Sequence, residues 1–297
     1  MAGISVGGQY ALISIGYTMV YGILRLINFA HGDVFMVAGL VMVYIAQALP
    51  LYAAVPAVII IIVSVGFLIE RAAYMPLRNS PRMSVMISAI GVSYLLQNLA
   101  LYITGGLNKN YPQIPWISDP ITVFGVSTKR VTVVTPFLTV ALVVALVLII
   151  NKTKIGMAMR AVAKDFDTSQ LMGIKINTVI SFTFAIGSFL AAVGSMLFFS
   201  NYPGVFPTAG SMSGLKAFVA AVFGGIGSIP GAVLGGIIIG VCESFIKGLD
   251  MIFAQYGASS GQLELATFSD AFTFVLLIII LVFKPTGLFG EKTADKV

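Results

Sequence analysis

Windows of roughly 20 mainly apolar residues recur along this chain, and each is long enough to carry an α-helix across about 30 Å of hydrocarbon. They fall at about 3–22, 30–49, 51–69, 84–104, 132–150, 177–200 and 269–284. A further apolar region, Ser213 to Gly248, is interrupted near Ser228 to Gly231 and reads as two short spans or one re-entrant hairpin. Spans of this kind must be helices, because lipid offers no partner to the N–H and C=O groups of an open strand or loop. A membrane β-barrel would instead show alternating segments of about ten residues. The fold class is therefore all-α, a polytopic transmembrane bundle of about eight spans, with seven to nine allowed by the broken region, in one domain over 1–297.

Composition excludes a water-soluble alternative. Hydrophobic residues make up 58% of the 297 and charged residues 9%, and the mean hydropathy is +1.01. Soluble domains carry about a quarter charged residues, and this chain folded in water would expose apolar patches beyond what soluble monomers tolerate. The first window lacks a basic leader and runs directly into a second, so it reads as mature protein rather than a cleaved signal. Cys242 is the only cysteine and His31 the only histidine, which removes intrachain disulfides and argues against a metal site.

Lysines and arginines divide between alternate loops. One side collects twelve: Arg25, Arg71, Arg78, Arg82, Lys152, Lys154, Arg160, Lys164, Lys175, Lys284, Lys292 and Lys296. The other collects five: Lys109, Lys129, Arg130, Lys216 and Lys247. Cytoplasmic loops hold the excess of positive charge, so the first set is expected inside, with the C-terminus cytoplasmic and the segment before the first span outside. Nine crossings satisfy this if the broken region counts twice, and seven plus a re-entrant element if it does not. The +6 net charge is thus a topology signal, and no basic face suited to nucleic acid exists outside short loops.

Three segments stand out. Asn151 to Asn177 is the longest cytoplasmic loop, free of Pro and rich in Ala, Met and Lys. It is expected to form a short amphipathic helix along the membrane surface, stopping near Gly173, either as a solvated linker or as a docking element. Phe223 to Gly236, FGGIGSIPGAVLGG, lacks the lysine of a phosphate loop, and no GxxxxGK[ST] run occurs anywhere. Its pairs Gly231/Gly235 and Gly236/Gly240 are spaced for close helix packing, while Gly224, Gly225 and Gly227 in the broken turn are candidates for a translocation path or gate. Arg25 to Asp33, RLINFAHGD, sets Asn28, His31 and Asp33 beside a span. They are either functional polar groups at membrane depth, candidates for a translocation path or gate, or residues solvated at the cytoplasmic interface.

Five ordered blocks carry a resemblance to a known family: ALISIGYTMVYGILRLINFAHGDVFMVAG (Ala11 to Gly39), ERAAYMPLR followed by SAIGVSYLLQN, MAMRAVAKDFDTSQLMGI, KAFVAAVFGGIGSIPGAVLGG, and PTGLFG. Together they resemble the permease subunits of branched-chain amino acid ABC importers, nearest the H-type permease of the leucine, isoleucine and valine system, over essentially the whole chain. The resemblance implies a non-enzymatic role in the bacterial inner membrane, translocating branched-chain amino acids by alternating access. It implies three kinds of protein neighbour besides lipid: a sister permease, two cytoplasmic ATPase subunits that use the ATP, and an extracytoplasmic binding protein; no nucleic acid is expected. It also implies that the loop at about 151–176 is the coupling element, with Arg160, Ala161, Asp165 and Gly173 at the ATPase contact. No cofactor, metal or catalytic residue is expected in this chain.

Two rival readings bear on function. A secondary carrier would need relay groups inside the bilayer, and Glu243 is the only acid in the middle of a span, with Lys247 at i+4 where an ion pair forms at a helix end. The other rival retains the ABC permease and changes its cargo to urea or short amides.

Overall fold

The computed structural model describes residues 1–78, 80–123, 125–255 and 265–290. Lys292 and Lys296, expected in the cytoplasmic tail, lie outside them. Every apolar window folds as helix: α1 (Ala2–Leu24), α2 (His31–Ala48), α3 (Leu51–Ile69) and α4 (Arg82–Thr104) come first. A one-turn helix α5 (Pro115–Ser118) precedes α6 (Arg130–Lys152), the loop helices α7 (Lys154–Lys164) and α8 (Phe166–Leu171), and α9 (Ile176–Asn201). The broken region becomes α10 (Ala209–Gly224) and α11 (Ile229–Gln255), and α12 (Leu265–Phe283) follows. Six helices among the described residues are long and apolar enough to cross a membrane by length and composition.

α1 occupies the centre and packs chiefly against α11, α9 and α10. It is buried on all sides, including Ser5, Gln9, Ser14 and Thr18, as a helix apolar around its whole circumference should be. Gln9 donates to the Leu197 carbonyl of α9 at 3.2 Å. Pro56 and Pro136 lie inside α3 and α6, which neighbouring helices make tolerable at membrane depth. α3 ends in a π-helical turn, Glu70–Tyr74, a local widening often found at functional positions.

α10 and α11 form an antiparallel pair turned over Gly225 to Ser228, where the Ser228 Oγ accepts from the Gly231 N–H at 3.2 Å. Pro230 stands in the first turn of α11, where a missing N–H leaves no bond unmade. α11 also runs antiparallel to α1. The two ends of the bundle differ. One gathers Arg25, the α3–α4 loop with Arg78 and Arg82, and helices α7 and α8. The other holds two small antiparallel pairings, β1 (Lys109–Asn110) with β4 (Gly204–Val205) and β2 (Pro120–Val123) with β3 (Val126–Lys129). These short strands carry no apolar window, which is why hydropathy does not reveal them.

Candidate coupling surface and bundle core

The 151–177 loop is built as two helices rather than the single one expected. Thr153 caps α7 by accepting from the Gly156 N–H at 3.1 Å. Asp165 then breaks the run: its backbone is extended, and its Oδ1 accepts from the Thr168 N–H at 3.1 Å to start α8. An aspartate whose carboxylate satisfies the orphan N–H groups of the following turn is a strong helix start, so it overrides the helix propensity of its neighbours. Gly173, at φ +81°, ends the element in the left-handed region where glycine carries no Cβ penalty. Arg160 points back to the bundle, donating to the Ile150 carbonyl and to Asn151 Oδ1, both at 2.8 Å. Ala161 is half-buried and its carbonyl accepts from the Asp165 N–H. Leu171, Met172 and Met157 of this loop are instead exposed, at 87%, 79% and 61%. Sequence reasoning passed over these three; their signal was apolar residues within a loop otherwise rich in charge.

Asn28, His31 and Asp33 are not solvated at an interface: they are 3%, 3% and 1% exposed. The cause is the segment after α1. Arg25, at φ 54°, reverses the chain, and the next residues fold back into the bundle, so that α2 begins beside Gly16 rather than beside the end of α1. Asn28 Oδ1 accepts from the Tyr74 hydroxyl at 2.9 Å. The His31 ring lies against Gly16, where any Cβ would overlap it, and meets Tyr17 edge-on at 5.0 Å. Asp33 accepts from Ser93 Oγ at 2.5 Å and Gln97 Nε2 at 3.1 Å, joining α2 to α4.

The glycines divide by neighbour. Gly224 faces Gly231 and Gly235 faces Ala220 within the α10–α11 pair, while Gly236 faces Ala11 and Gly240 faces Gly7 across α11 and α1. At each, an added Cβ would collide with backbone. Gly225 lies under the segment after α12, whose Leu288 and Phe289 N–H groups donate to the Phe223 and Gly224 carbonyls. Gly227, at φ +100°, has open space where a Cβ would sit.

Two ionic groupings complete the picture. Lys216, expected in a loop, lies buried within α10 and bridges Glu243 at 3.1 Å and Asp270 at 2.5 Å. Glu243 also meets Lys247 at 2.6 Å and accepts from the Tyr10 hydroxyl at 2.8 Å. The i+4 pair is therefore part of a four-charge network in which Glu243 and Lys216 are buried and Lys247 and Asp270 reach the surface, not a lone helix-end contact. At the coupling-loop end, buried Glu70 binds Arg78 at 3.3 Å and Ser181 Oγ at 2.8 Å, and Arg78 also reaches Asn177. Partial burial lowers the Arg78 guanidinium below its ordinary pKa, and the Glu70 charge opposes that shift.

Comparison with known proteins agrees with this architecture. The family model described as "Branched-chain amino acid transport system / permease component" matches residues 1–281. The high-affinity branched-chain amino acid permease protein BraD of Pseudomonas aeruginosa is 41% identical over 99% of this chain and 96% of its own length. The permease protein LivH is 40% identical in Salmonella typhimurium and 39% in Escherichia coli, each over 99% of this chain and 96% of the relative. A multi-pass helical membrane protein with a transport rather than an enzymatic role, this chain belongs to the family of permease components of branched-chain amino acid transport systems.

Proposed function

We propose that this chain imports branched-chain amino acids across the bacterial inner membrane as one permease of an ATP-binding cassette importer. Near-40% identity from end to end with relatives named for that transport carries the reading. A sister permease completes the pore, two cytoplasmic ATPase subunits hydrolyse ATP, and an extracytoplasmic binding protein delivers the substrate. The chain makes nine crossings, α10 and α11 counting separately, with the coupling loop at 151–176 and the C-terminus in the cytoplasm. Clustering of Arg25, Arg78, Arg82 and Lys164 at one end of the bundle supports that orientation.

The physical route from ATPase to pore is short. α7 is tied to α6 by Arg160 and to the fold-back by Arg25, whose guanidinium donates to the Ala163 carbonyl at 3.4 Å. Gly156 packs directly on the α6 backbone. A push on the exposed Met157–Leu171 face thus moves α6 and the α1–α2 turn together, which is the rigid contact that coupling requires. Alternating access follows as α1, lined by glycine contacts, shifts against α11 and α9. Discrimination among aliphatic side chains is modest in an apolar passage, about 1–3 kcal/mol per methylene, so several should pass. Competition between labelled leucine and unlabelled isoleucine, valine or urea for uptake into cells tests the cargo: isoleucine and valine should compete, and competition by urea alone would overturn the assignment. Single cysteines introduced at Leu171 and Asn108, after Cys242→Ser, should react from the cytoplasmic and outer sides respectively; the reverse pattern would invert the topology.

A further inference from the structure

A cavity of about 410 Å³ opens between the α1–α2 fold-back, the start of α4 and helix α7. Arg25, Arg78, Arg82 and Lys164 line it. A second cavity of about 650 Å³ shares Arg78 and Phe166 with it and adds Lys175. Neither is lined by Asp or Glu. Glu70 answers Arg78 alone, and among the described residues Arg82 and Lys164 have neither a hydrogen bond nor an ion pair from their side chains. Four cations converge on one space that, among the described residues, no carboxylate lines. Mutual repulsion of this kind is relieved by an anion.

The floor of the first cavity narrows the choice of anion. Ile23, Leu26, Val85 and Val162 also line it; Ile23, Val85 and Val162 are buried while Arg25, Arg82 and Lys164 are exposed, which gives the cavity an apolar inner side and a cationic outer one. A small hydrated anion would leave that side in contact with water, whereas an amphipathic molecule matches both halves. The position matches too, because these residues stand where helices α1 and α4 meet the loop at the basic end of the bundle. Basic pockets between helices on the cytoplasmic side suit phosphate-bearing lipid headgroups, and arginine forks bind phosphate oxygens in pairs.

We infer that this cleft holds the phosphodiester headgroup of an anionic inner-leaflet phospholipid, wedged between the coupling helix α7 and the α1–α2 turn. The inference rests on the orientation given under the proposed function, but the binding site itself does not depend on what is transported. A lipid seated there would bridge α7 to α1 and α4 through Arg25, Arg82 and Lys164, so that the anionic content of the membrane would set how firmly the coupling helix grips the bundle.

The test uses the importer purified in detergent with its partner subunits from membranes containing phosphatidylglycerol and a zwitterionic phospholipid, with bound lipid read by native mass spectrometry. Phosphatidylglycerol should be retained in preference to the zwitterionic lipid. Arg82→Gln, and separately Arg25→Gln, should lower its retention about fivefold for each cation removed, while Lys109→Gln at the opposite end should not change it. Equal retention of both lipids, or retention unchanged in Arg82→Gln, would overturn the inference. Displacement of the lipid by millimolar inorganic phosphate would assign the cleft to a free anion instead, and overturn it. Loss of the ATPase subunits from Arg82→Gln with lipid retention intact would make the cleft a protein-docking surface and overturn it equally. No readout here requires transport, so a failure of leucine uptake would count against the proposed function and leave this test standing.

Discussion

Glu243 shows what a single buried charge demands of its surroundings. It is held by Lys216, Lys247 and Tyr10, and replacing it with Gln leaves buried donors poorly answered, a loss of about 1–3 kcal/mol. Thermal unfolding of the purified permease should therefore show a lower midpoint for Glu243→Gln than for the exposed change Lys154→Gln. Its i+4 partner Lys247 was legible in the sequence, since helix spacing alone brings the two together. Lys216 and Asp270 were not, because their approach depends on how α10, α11 and α12 fold against one another. The fold-back residues follow the same logic: hydropathy marks where a span ends, but only the reversal at Arg25 carries Asn28, His31 and Asp33 inside. At Gly173 the sequence did suffice, for a glycine after a run of helix formers announces a left-handed stop. Gly173→Ala should cost about 1 kcal/mol of backbone strain and lower substrate transported per ATP hydrolysed while membrane insertion stays normal. Arg160→Ala should act in the same direction by releasing α7 from α6.

Among elements, the α10–α11 pair and its contact with α1 determine the architecture. Spacing showed that Gly231, Gly235, Gly236 and Gly240 admit a close neighbour; it did not say which one. Gly231 and Gly235 serve the hairpin itself, whereas Gly236 and Gly240 seat α11 on the central helix. Gly236→Leu or Gly240→Leu should then reduce the yield of folded chain before any partner is involved, seen as less protease-resistant protein even when the chain is expressed alone. Loss confined to the assembled complex, with the single chain intact, would mean that these glycines face another subunit. The loop helices make a separate prediction. Met157 and Leu171 are exposed apolar residues on an otherwise charged loop, and the paired change to Ser should weaken co-purification of the ATPase several-fold without altering the stability of the permease. The break at Asp165 was readable in principle as an N-cap, but the strong helix propensity around it pointed to one continuous helix.

For the whole molecule, the recurring apolar windows established a helical membrane bundle, because lipid leaves a chain of this composition few other ways to satisfy its backbone. The short strands at one end and the deep start of α2 escaped that reasoning, since neither alters average hydropathy. Function was legible through five ordered blocks of sequence, and the end-to-end similarity to BraD and LivH places the chain in the same family. Energy coupling is tested most directly by uptake of labelled leucine into proteoliposomes that contain this chain, its sister permease, the ATPase subunits and the binding protein. Uptake should require ATP on the side of the coupling loop and fall when excess isoleucine or valine is added. Uptake that proceeds without ATP and follows the proton gradient would contradict the account.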